Sequence, residues 1–191
     1  MKTIISTWNA QPHLKEVIYI ASTETPLGTM WMGTTDEGIC FAEFFDRIHL
    51  EKELQTLGNV FKAKYVLEEN HRYLKQLKKE LELYFNQGLT EFTVPIVLTG
   101  TEFQQKVYRA LQEIPYGKTA TYKQQAIKLG DVKAIRAVAT ANGSNKHAIV
   151  IPCHRIIGSD GSLVGYAGGK WRKKVLLQLE NALPNNQLTL L

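Results

Sequence analysis

The sequence predicts an α+β protein in which a small amino-terminal α+β domain, built from an antiparallel sheet with helices, precedes a mainly helical carboxy-terminal domain that contains a helix-turn-helix. Three observations predict this class. Short β-rich runs fill residues 17–44, two helical patterns follow within residues 47–85, and helical spacing dominates from Thr101 onward. We therefore expect domains at residues 1–95 and 96–191.

Three short runs predict the sheet of the first domain. Residues 17–22, 30–34 and 39–44 are rich in β-branched and aromatic side chains, and turn-like segments at 25–28 and 35–38 separate them. Strands joined by such short turns pair with their neighbours in sequence. The runs therefore predict an antiparallel meander.

Two helices are expected after the meander, over residues 47–57 and 70–85. In the second, apolar residues recur at helical spacing, and Gly88 follows as a stop signal. Residues 89–100 contain Pro95 and Gly100 and are expected to link the two domains.

The second domain is predicted to begin with a supporting helix. Thr101 is a candidate cap, and the apolar stripe beyond it ends before residues 115–117. The stripe consists of Phe103, Val107, Leu111 and Ile114.

Two further helices predict a helix-turn-helix over about residues 119–144. The first is expected to start at Thr119 or Thr121 and to run through Leu129, and the second to cover residues 132–142 after a turn at 130–131. The second helix has few large side chains apart from Lys133 and Arg136. Such a surface allows either close approach to a nucleic-acid groove or tight packing against another helix.

Charge is unevenly distributed along the chain. Residues 1–95 contain 10 Lys+Arg against 13 Asp+Glu, a net charge of −3, whereas residues 96–191 contain 13 against 5, a net charge of +8. A basic domain favours a polyanionic partner such as DNA or RNA, although a solvated basic surface without a partner gives the same count.

One of the two cysteines has the sequence context of a reactive thiol. Residues 147–150 are an apolar, β-type run, and Cys153 follows directly before His154 and Arg155. A thiol attacks as its thiolate, which a neighbouring base or positive charge favours. The alternative is a buried structural cysteine. Cys40 and Cys153 could pair, but two cysteines in a reducing compartment more often stay free, and they are too few for a cysteine-based zinc site.

Five segments resemble the O6-alkylguanine-DNA alkyltransferases. They are Pro-Tyr-Gly-Lys-Thr at 115–119, Asn-Gly-Ser-Asn at 142–145, Ile-Pro-Cys-His-Arg at 151–155, Gly-Tyr-Ala-Gly-Gly at 165–169 and Leu-Leu-Gln-Leu-Glu at 176–180. Residues 1–95 match that family only in general plan.

The resemblance implies DNA repair by direct damage reversal without a cofactor. Cys153 would accept a methyl or other alkyl group from O6-alkylguanine, with O4-alkylthymine left open, and one molecule would act once. His154 would be its base through a bridging water, and Glu180 would orient that histidine.

The resemblance also implies how the base is reached in double-stranded DNA. The nucleotide must leave the stack. Arg136 would fill the space left behind, while Tyr122 would crowd the adjacent phosphate and donate a proton to N3 of guanine. The recognition helix would enter the minor groove. Its expected contact residues are Lys133, Ala134, Arg136, Ala137 and Ala139.

The remaining implied roles concern the substrate pocket. Asn145 would brace the turn below the active site, and the carbonyls of Cys153 and Ile156 would accept from the exocyclic amine. Tyr166 would form a wall beside the small residues Ala167 and Gly168, and the Ala167 amide would bind O6. No metal is expected, and the protein is expected to be a monomer.

Each of these residues also has a purely structural interpretation: His154 could cap a turn, and Glu180 could pair with Lys173 or Lys174 on an exposed helix. Two other functions are considered, a non-catalytic protein that binds alkylated bases and a cysteine hydrolase. Because residues 1–12 lack a secretory signal and no apolar run could span a bilayer, a cytoplasmic location and no membrane contact are expected.

Overall fold

The computed structural model describes residues 8–9 and 14–183 and divides into two compact units, Met1–Val97 and Leu98–Leu191. The α+β class is confirmed. The segment 1–12, on which the expectation of no secretory signal depends, falls mostly outside the described residues. No helix of the described ranges is long and apolar enough to cross a bilayer.

A four-stranded sheet forms the centre of the first unit. Its strands are β1 (Glu16–Thr23), β2 (Met30–Thr34), β3 (Ile39–Phe44) and β4 (Ala63–Leu67), in the order β3-β2-β1-β4. The predicted antiparallel meander of β1, β2 and β3 is confirmed. The parallel strand β4 beside β1 was not predicted. Only Ala63 and Tyr65 of β4 are buried, so its alternation is too short to stand out in the sequence.

The two predicted helices of the first unit lie close to their expected positions. Helix α1 covers Leu50–Phe61 and α2 covers Arg72–Gln87. Helix α1 starts later than predicted because His49, at φ 67°, has a left-handed conformation that a helix excludes. Gly88 ends α2 at φ 69°, as the stop signal predicted.

The predicted linker at 89–100 is partly attached to the first unit. The Ile39 amide donates to the Pro95 carbonyl at 2.8 Å, and the Val97 amide donates to the Ile39 carbonyl at 2.8 Å. These two bonds extend the edge of the sheet beyond β3. The segment therefore belongs in part to the sheet.

Two reciprocal caps define the first helices of the second unit. Helix α3 (Glu102–Gln112) starts at Thr101, whose side chain accepts from the Gln104 amide while the Gln104 side chain accepts from the Thr101 amide. Helix α4 (Tyr122–Lys128) has the same arrangement between Thr121 and Gln124. Of the two candidate caps for this helix, Thr121 is therefore the one used.

The predicted third helix consists of two parts. A 3₁₀ turn over Val132–Ala134, capped by the Asp131 side chain, precedes helix α5 (Ile135–Gly143). A buried hydrogen bond of 2.8 Å from Asn142 to Gln125 joins α5 to α4. Gln125 also donates to the Val107 carbonyl of α3 at 3.2 Å, so the three helices are held together by one polar chain.

The expectation of a strand at 147–150 is wrong. The segment is a turn in which the Ile151 amide donates to the His147 carbonyl at 2.9 Å and Ile149 has a φ of 72°. An apolar run does not distinguish a buried strand from another buried conformation. The strands that do form here are very short: β5 (Ala120–Thr121) pairs in parallel with β6 (Ile156–Ile157), and neither was predicted.

Candidate active site

The sulfur of Cys153 lies at the start of a 3₁₀ turn, Cys153–Arg155, and the residue is partly exposed. Asn145 holds the preceding turn: its Nδ2 donates to the Ile151 carbonyl at 2.9 Å, and its Oδ1 accepts from the His147 amide at 2.9 Å. The same Nδ2 is 3.2 Å from Cys153 Sγ. One buried amide therefore fixes the turn and orients a donor toward the sulfur, where it stabilises negative charge.

The side chains of His154 and Glu180 form a fully buried pair. Nε2 of His154 is 2.8 Å from Oε1 of Glu180, and both side chains have 0% exposure. Glu180 follows the last residue of helix α6 (Lys170–Leu179), so the end of that helix delivers the carboxylate. Gly117 permits this approach: it has a φ of 73°, and a Cβ there would come within 2.9 Å of the Glu180 carbonyl oxygen.

Arg155 contacts the carboxylate. Its Nε donates to Oε2 of Glu180 at 2.8 Å, and its Nη2 donates to Oε1 at 3.0 Å. Its Nη1 donates to the Ile114 carbonyl at 2.6 Å. The guanidinium that the sequence suggested as a neighbour of the thiol is therefore committed to Glu180.

The ionisation of this group follows from its contacts. Burial alone raises the pKa of the Glu180 carboxyl, but hydrogen bonds from His154 and Arg155, together with their charges, lower it to about 2. Burial lowers the pKa of His154 below its ordinary value, against the opposing effect of Glu180. At neutral pH the glutamate is therefore ionised and the imidazole neutral. An ionised carboxylate only accepts, so Nε2 carries the proton and Nδ1 has the free lone pair.

A buried lysine joins two walls of the site. Lys173, with 0% exposure, donates from Nζ to the carbonyls of Ile156, Val164 (2.6 Å) and Gly165 (3.0 Å). Burial lowers its pKa to about 8, while the charge of ionised Cys153 opposes that shift. From the sequence, Lys173 was considered only as a partner of Glu180 in an exposed ion pair, and its role in the site was not predicted. The signal was its seven-residue spacing from Glu180, which puts both on one face of a helix.

The predicted pocket residues lie on the turn and on the loop before α6. The ring of Tyr166 is nearly perpendicular to that of His154, with centroids 6.4 Å apart. Ile156 and Gly168 are buried, and Ala167 is partly exposed. Tyr122 donates to the Val164 carbonyl at 3.3 Å. Burial, and the charge of ionised Cys153, raise the pKa of Tyr122, so its phenol keeps its proton at neutral pH.

Helix α5 has one buried and one exposed face. Val138, Ala141 and Asn142 are buried against the rest of the unit. The opposite side and the preceding 3₁₀ turn contain the predicted DNA contacts, of which Lys133, Arg136, Ala137 and Ala139 are exposed and Ala134 is partly exposed. This face combines a basic character with little side-chain bulk.

Cys40 is unlike Cys153. Both are free thiols, but Cys40 is fully buried in the sheet of the first unit. Burial raises the pKa of its thiol to about 12. Among the described residues, no cluster of three or more His, Cys, Asp or Glu side chains could hold a metal ion.

A helix-turn-helix unit that contains a partly exposed cysteine, followed in the chain by a buried histidine paired with a glutamate, defines a DNA-binding fold with a candidate nucleophilic thiol. Residues 18–98 match the model of the 6-O-methylguanine DNA methyltransferase ribonuclease-like domain, and residues 102–182 match that of the DNA-binding domain of the same family. The chain belongs to the 6-O-methylguanine DNA methyltransferase family.

Individual relatives are similar over most of their length. The methylated-DNA–protein-cysteine methyltransferase of Methanosarcina barkeri is 39% identical over 163 residues, which are 85% of this chain and 97% of the relative. That of Mycobacterium leprae is 47% identical over 139 residues, 72% of this chain and 84% of the relative.

Solved structures show the same fold. The O6-methylguanine methyltransferase of Mycobacterium tuberculosis has a TM-score of 0.74 and 33% identity, covering 88% of this chain and 96% of that one. The OGT protein of the same organism in complex with DNA has a TM-score of 0.72 and 34% identity, covering 86% of this chain and 93% of that one.

Proposed function

We propose that this protein repairs double-stranded DNA by direct damage reversal, transferring a methyl or other alkyl group from O6-alkylguanine to Cys153 in a single irreversible turnover. Membership of the family and the activity named for its relatives support the reaction class. The observation that carries the residue assignment is the partly exposed residue Cys153, which directly precedes the fully buried His154–Glu180 pair.

His154 is the base in this proposal. Its Nδ1 is buried and accepts no hydrogen bond from any residue that the structure describes. A base must reach its proton directly or through one water molecule, and Nδ1 is the atom with the lone pair. His154 takes the Cys153 proton through such a water, and Glu180 keeps the ring in the required tautomer.

The transfer step is a displacement at the alkyl carbon. The thiolate of Cys153 forms the new S–C bond as the C–O6 bond breaks, and the electron pair of that bond stays with the guanine. Tyr122 donates a proton to N3, so that a neutral base leaves, and the proton taken up by His154 returns to the phenolate through solvent. The thioether is stable, so the protein acts once.

DNA binding follows from the second unit. The helix-turn-helix, the net charge of +8 over residues 96–191 and the relative solved with DNA support it. Helix α5 enters the minor groove, where Ala134, Ala137 and Ala139 allow close approach, Lys133 contacts phosphate and Arg136 occupies the space of the everted nucleotide.

The pocket for the everted base uses the loop before α6 and the turn after Cys153. Tyr166 forms a wall, the Ala167 amide donates to O6, and Gly168 leaves room for the alkyl group. The carbonyls of Cys153 and Ile156 accept from the exocyclic amine. The Ile156 carbonyl also accepts from Lys173, which its second lone pair permits.

The two domains have different roles in this proposal. Residues 1–95 act as a support domain, and residues 96–191 bind DNA and accept the alkyl group. The protein works as a monomer in the cytoplasm and needs no cofactor.

Peptide mass mapping tests the proposed acceptor. The protein is incubated with a duplex oligonucleotide that contains O6-methylguanine and is then digested. We expect the peptide with Cys153 to gain the mass that replaces a hydrogen by a methyl group, while the Cys40 peptide stays unchanged. The variant Cys40→Ser should behave identically and Cys153→Ser should take up nothing. Methyl transfer to any other residue, or none, would refute the assignment.

A further inference from the structure

The carboxylate of Glu180 is shared between two side chains that follow one another in the sequence. Oε1 is bonded both to His154 Nε2 and to Arg155 Nη2, and Oε2 accepts from Arg155 Nε. The Gly117 amide approaches Oε2 at 3.4 Å. Glu180 therefore faces a full guanidinium charge as well as the imidazole.

We propose that Arg155 is a positioning residue that keeps His154 an electrically neutral base, by balancing the charge of Glu180 and by fixing its carboxylate against Nε2. The proposal rests on the proposed function only in calling His154 a base. It predicts the ionisation state of the His154 imidazole, which can be measured without DNA.

The buried charges around His154 determine which form of the imidazole is favoured. A carboxylate by itself favours the protonated form of a neighbouring imidazole. With Arg155 present, the three side chains are neutral in sum when His154 is unprotonated and carry one net positive charge when it is protonated. The His154 and Glu180 side chains have 0% exposure and that of Arg155 has 8%, so water does little to stabilise the extra charge.

Three other side chains also face or adjoin His154. Lys173 on α6 adds a further positive charge, which also opposes protonation. Cys153, on the same turn, favours protonation only when it is itself ionised, and Tyr166 presents its ring from the loop before α6. Among the described residues, Glu180 is thus the one carboxylate, ionised at neutral pH, that acts on His154, and Arg155 neutralises it.

The guanidinium of Arg155 also fixes the geometry of the Glu180 carboxylate. Two parallel N–H···O contacts from a planar guanidinium fix a carboxylate in orientation as well as in position. A third donor of Arg155 binds the Ile114 carbonyl at 2.6 Å, which anchors the guanidinium to the segment after α3. A lysine at 155 retains the charge and loses this fork. Charge and orientation can therefore be separated by substitution.

The test compares Arg155→Gln, which removes the charge, with Arg155→Lys, which keeps it. The ring ionisation of His154 is followed by NMR titration of the free protein, and the methyl-transfer rate is measured across pH in single turnover. In the wild type we expect the His154 imidazole to be neutral and protonated at Nε2 at pH 7. In Arg155→Gln the pKa of His154 should rise. Since the base works only when neutral, each unit of that rise lowers the rate about tenfold at pH values below both pKa values.

Arg155→Lys should leave the acid limb of the rate profile where it is in the wild type and lower the rate by a similar factor at every pH. Arg109→Gln removes an exposed arginine from the same unit and serves as the control, with no change expected in the titration. An unchanged His154 titration in Arg155→Gln, or an equal shift in both variants, would contradict the proposal.

If Arg155→Gln does not fold, the wild-type titration still decides, because an imidazolium at pH 7 would overturn the inference. Loss of methyl transfer in the wild type would instead refute the proposed function and leave the titration result standing.

Discussion

Replacing Asn145 by alanine should destabilise the second unit by a large fraction of its stability. The side chain satisfies two buried main-chain groups, the His147 amide and the Ile151 carbonyl, each at 2.9 Å, and these residues are 2% and 0% exposed. The His147 amide left without its partner costs about 1–3 kcal/mol, whereas the Ile151 carbonyl keeps its bond from the Cys153 amide at 2.8 Å and loses only about 0.5–1.5 kcal/mol, so the two together cost about 1.5–4.5 kcal/mol. Domains of this size have total stabilities of about 5–15 kcal/mol.

The free energy of unfolding is measured by denaturant titration with a tryptophan or circular dichroism signal. Gln112→Ala is the matched control, because it also replaces a side-chain amide by a methyl group but does so at an exposed position of α3. We expect the control to change the unfolding free energy by less than about 0.5 kcal/mol. An effect of Asn145→Ala as small as that of the control would refute the reasoning that this side chain holds the turn together.

Three further outcomes are expected. A thiol reagent should modify Cys153 rapidly and Cys40 only on unfolding, since burial raises the pKa of the Cys40 thiol to about 12; equal rates measured by peptide mapping would contradict this. Arg136→Ala should slow methyl transfer from duplex DNA far more than from the free base, because only the duplex needs the stack filled; an equal loss on both would exclude that role. The pKa of Glu180 is about 2 in the folded state, below the value of 4.5 expected for the unfolded chain. Its contribution to the free energy of unfolding is therefore complete above pH 4.5 and is lost as the pH falls from there to about 2. Glu180→Gln should lack this dependence in acid titrations of stability, and a wild-type curve as flat as that of the variant would argue against an ionised Glu180.

Local signals in the sequence predicted much of the fold. Thr101 and Gly88 mark helix ends through their own side chain or conformation, and the structure has those ends. The choice between Thr119 and Thr121 was open because both residue types can cap. It is resolved by Gln124, which lies three residues after Thr121 and completes the reciprocal cap.

Long-range pairing was not predictable in the same way. Strand β4 pairs in parallel with β1 across more than forty residues of chain, and its own five residues contain only two buried side chains. The turn at 147–150 depends on the hydrogen bonds that the Asn145 side chain accepts from the His147 amide and donates to the Ile151 carbonyl. These bonds compete with strand formation in a way that apolar composition does not reveal.

In the site, too, the features set by neighbouring residues were predictable and those set by tertiary contacts were not. Cys153 and His154 are adjacent in the chain, so their proximity required no tertiary information. Glu180 was expected near them only through the family resemblance. The roles of Arg155 and Lys173 depend on where the end of α6 meets the turn and the loop, and the sequence alone assigned the first to the thiol and the second to an exposed ion pair.

The most direct test of the account is the stoichiometry of repair at Cys153. With an excess of duplex DNA that contains O6-methylguanine, the restored guanine should reach a plateau at one equivalent per protein molecule, and all of the methyl should reside on the Cys153 sulfur. Continued turnover beyond one equivalent, as a cysteine hydrolase would give, or a plateau reached with the Cys153 sulfur unmodified, would contradict it.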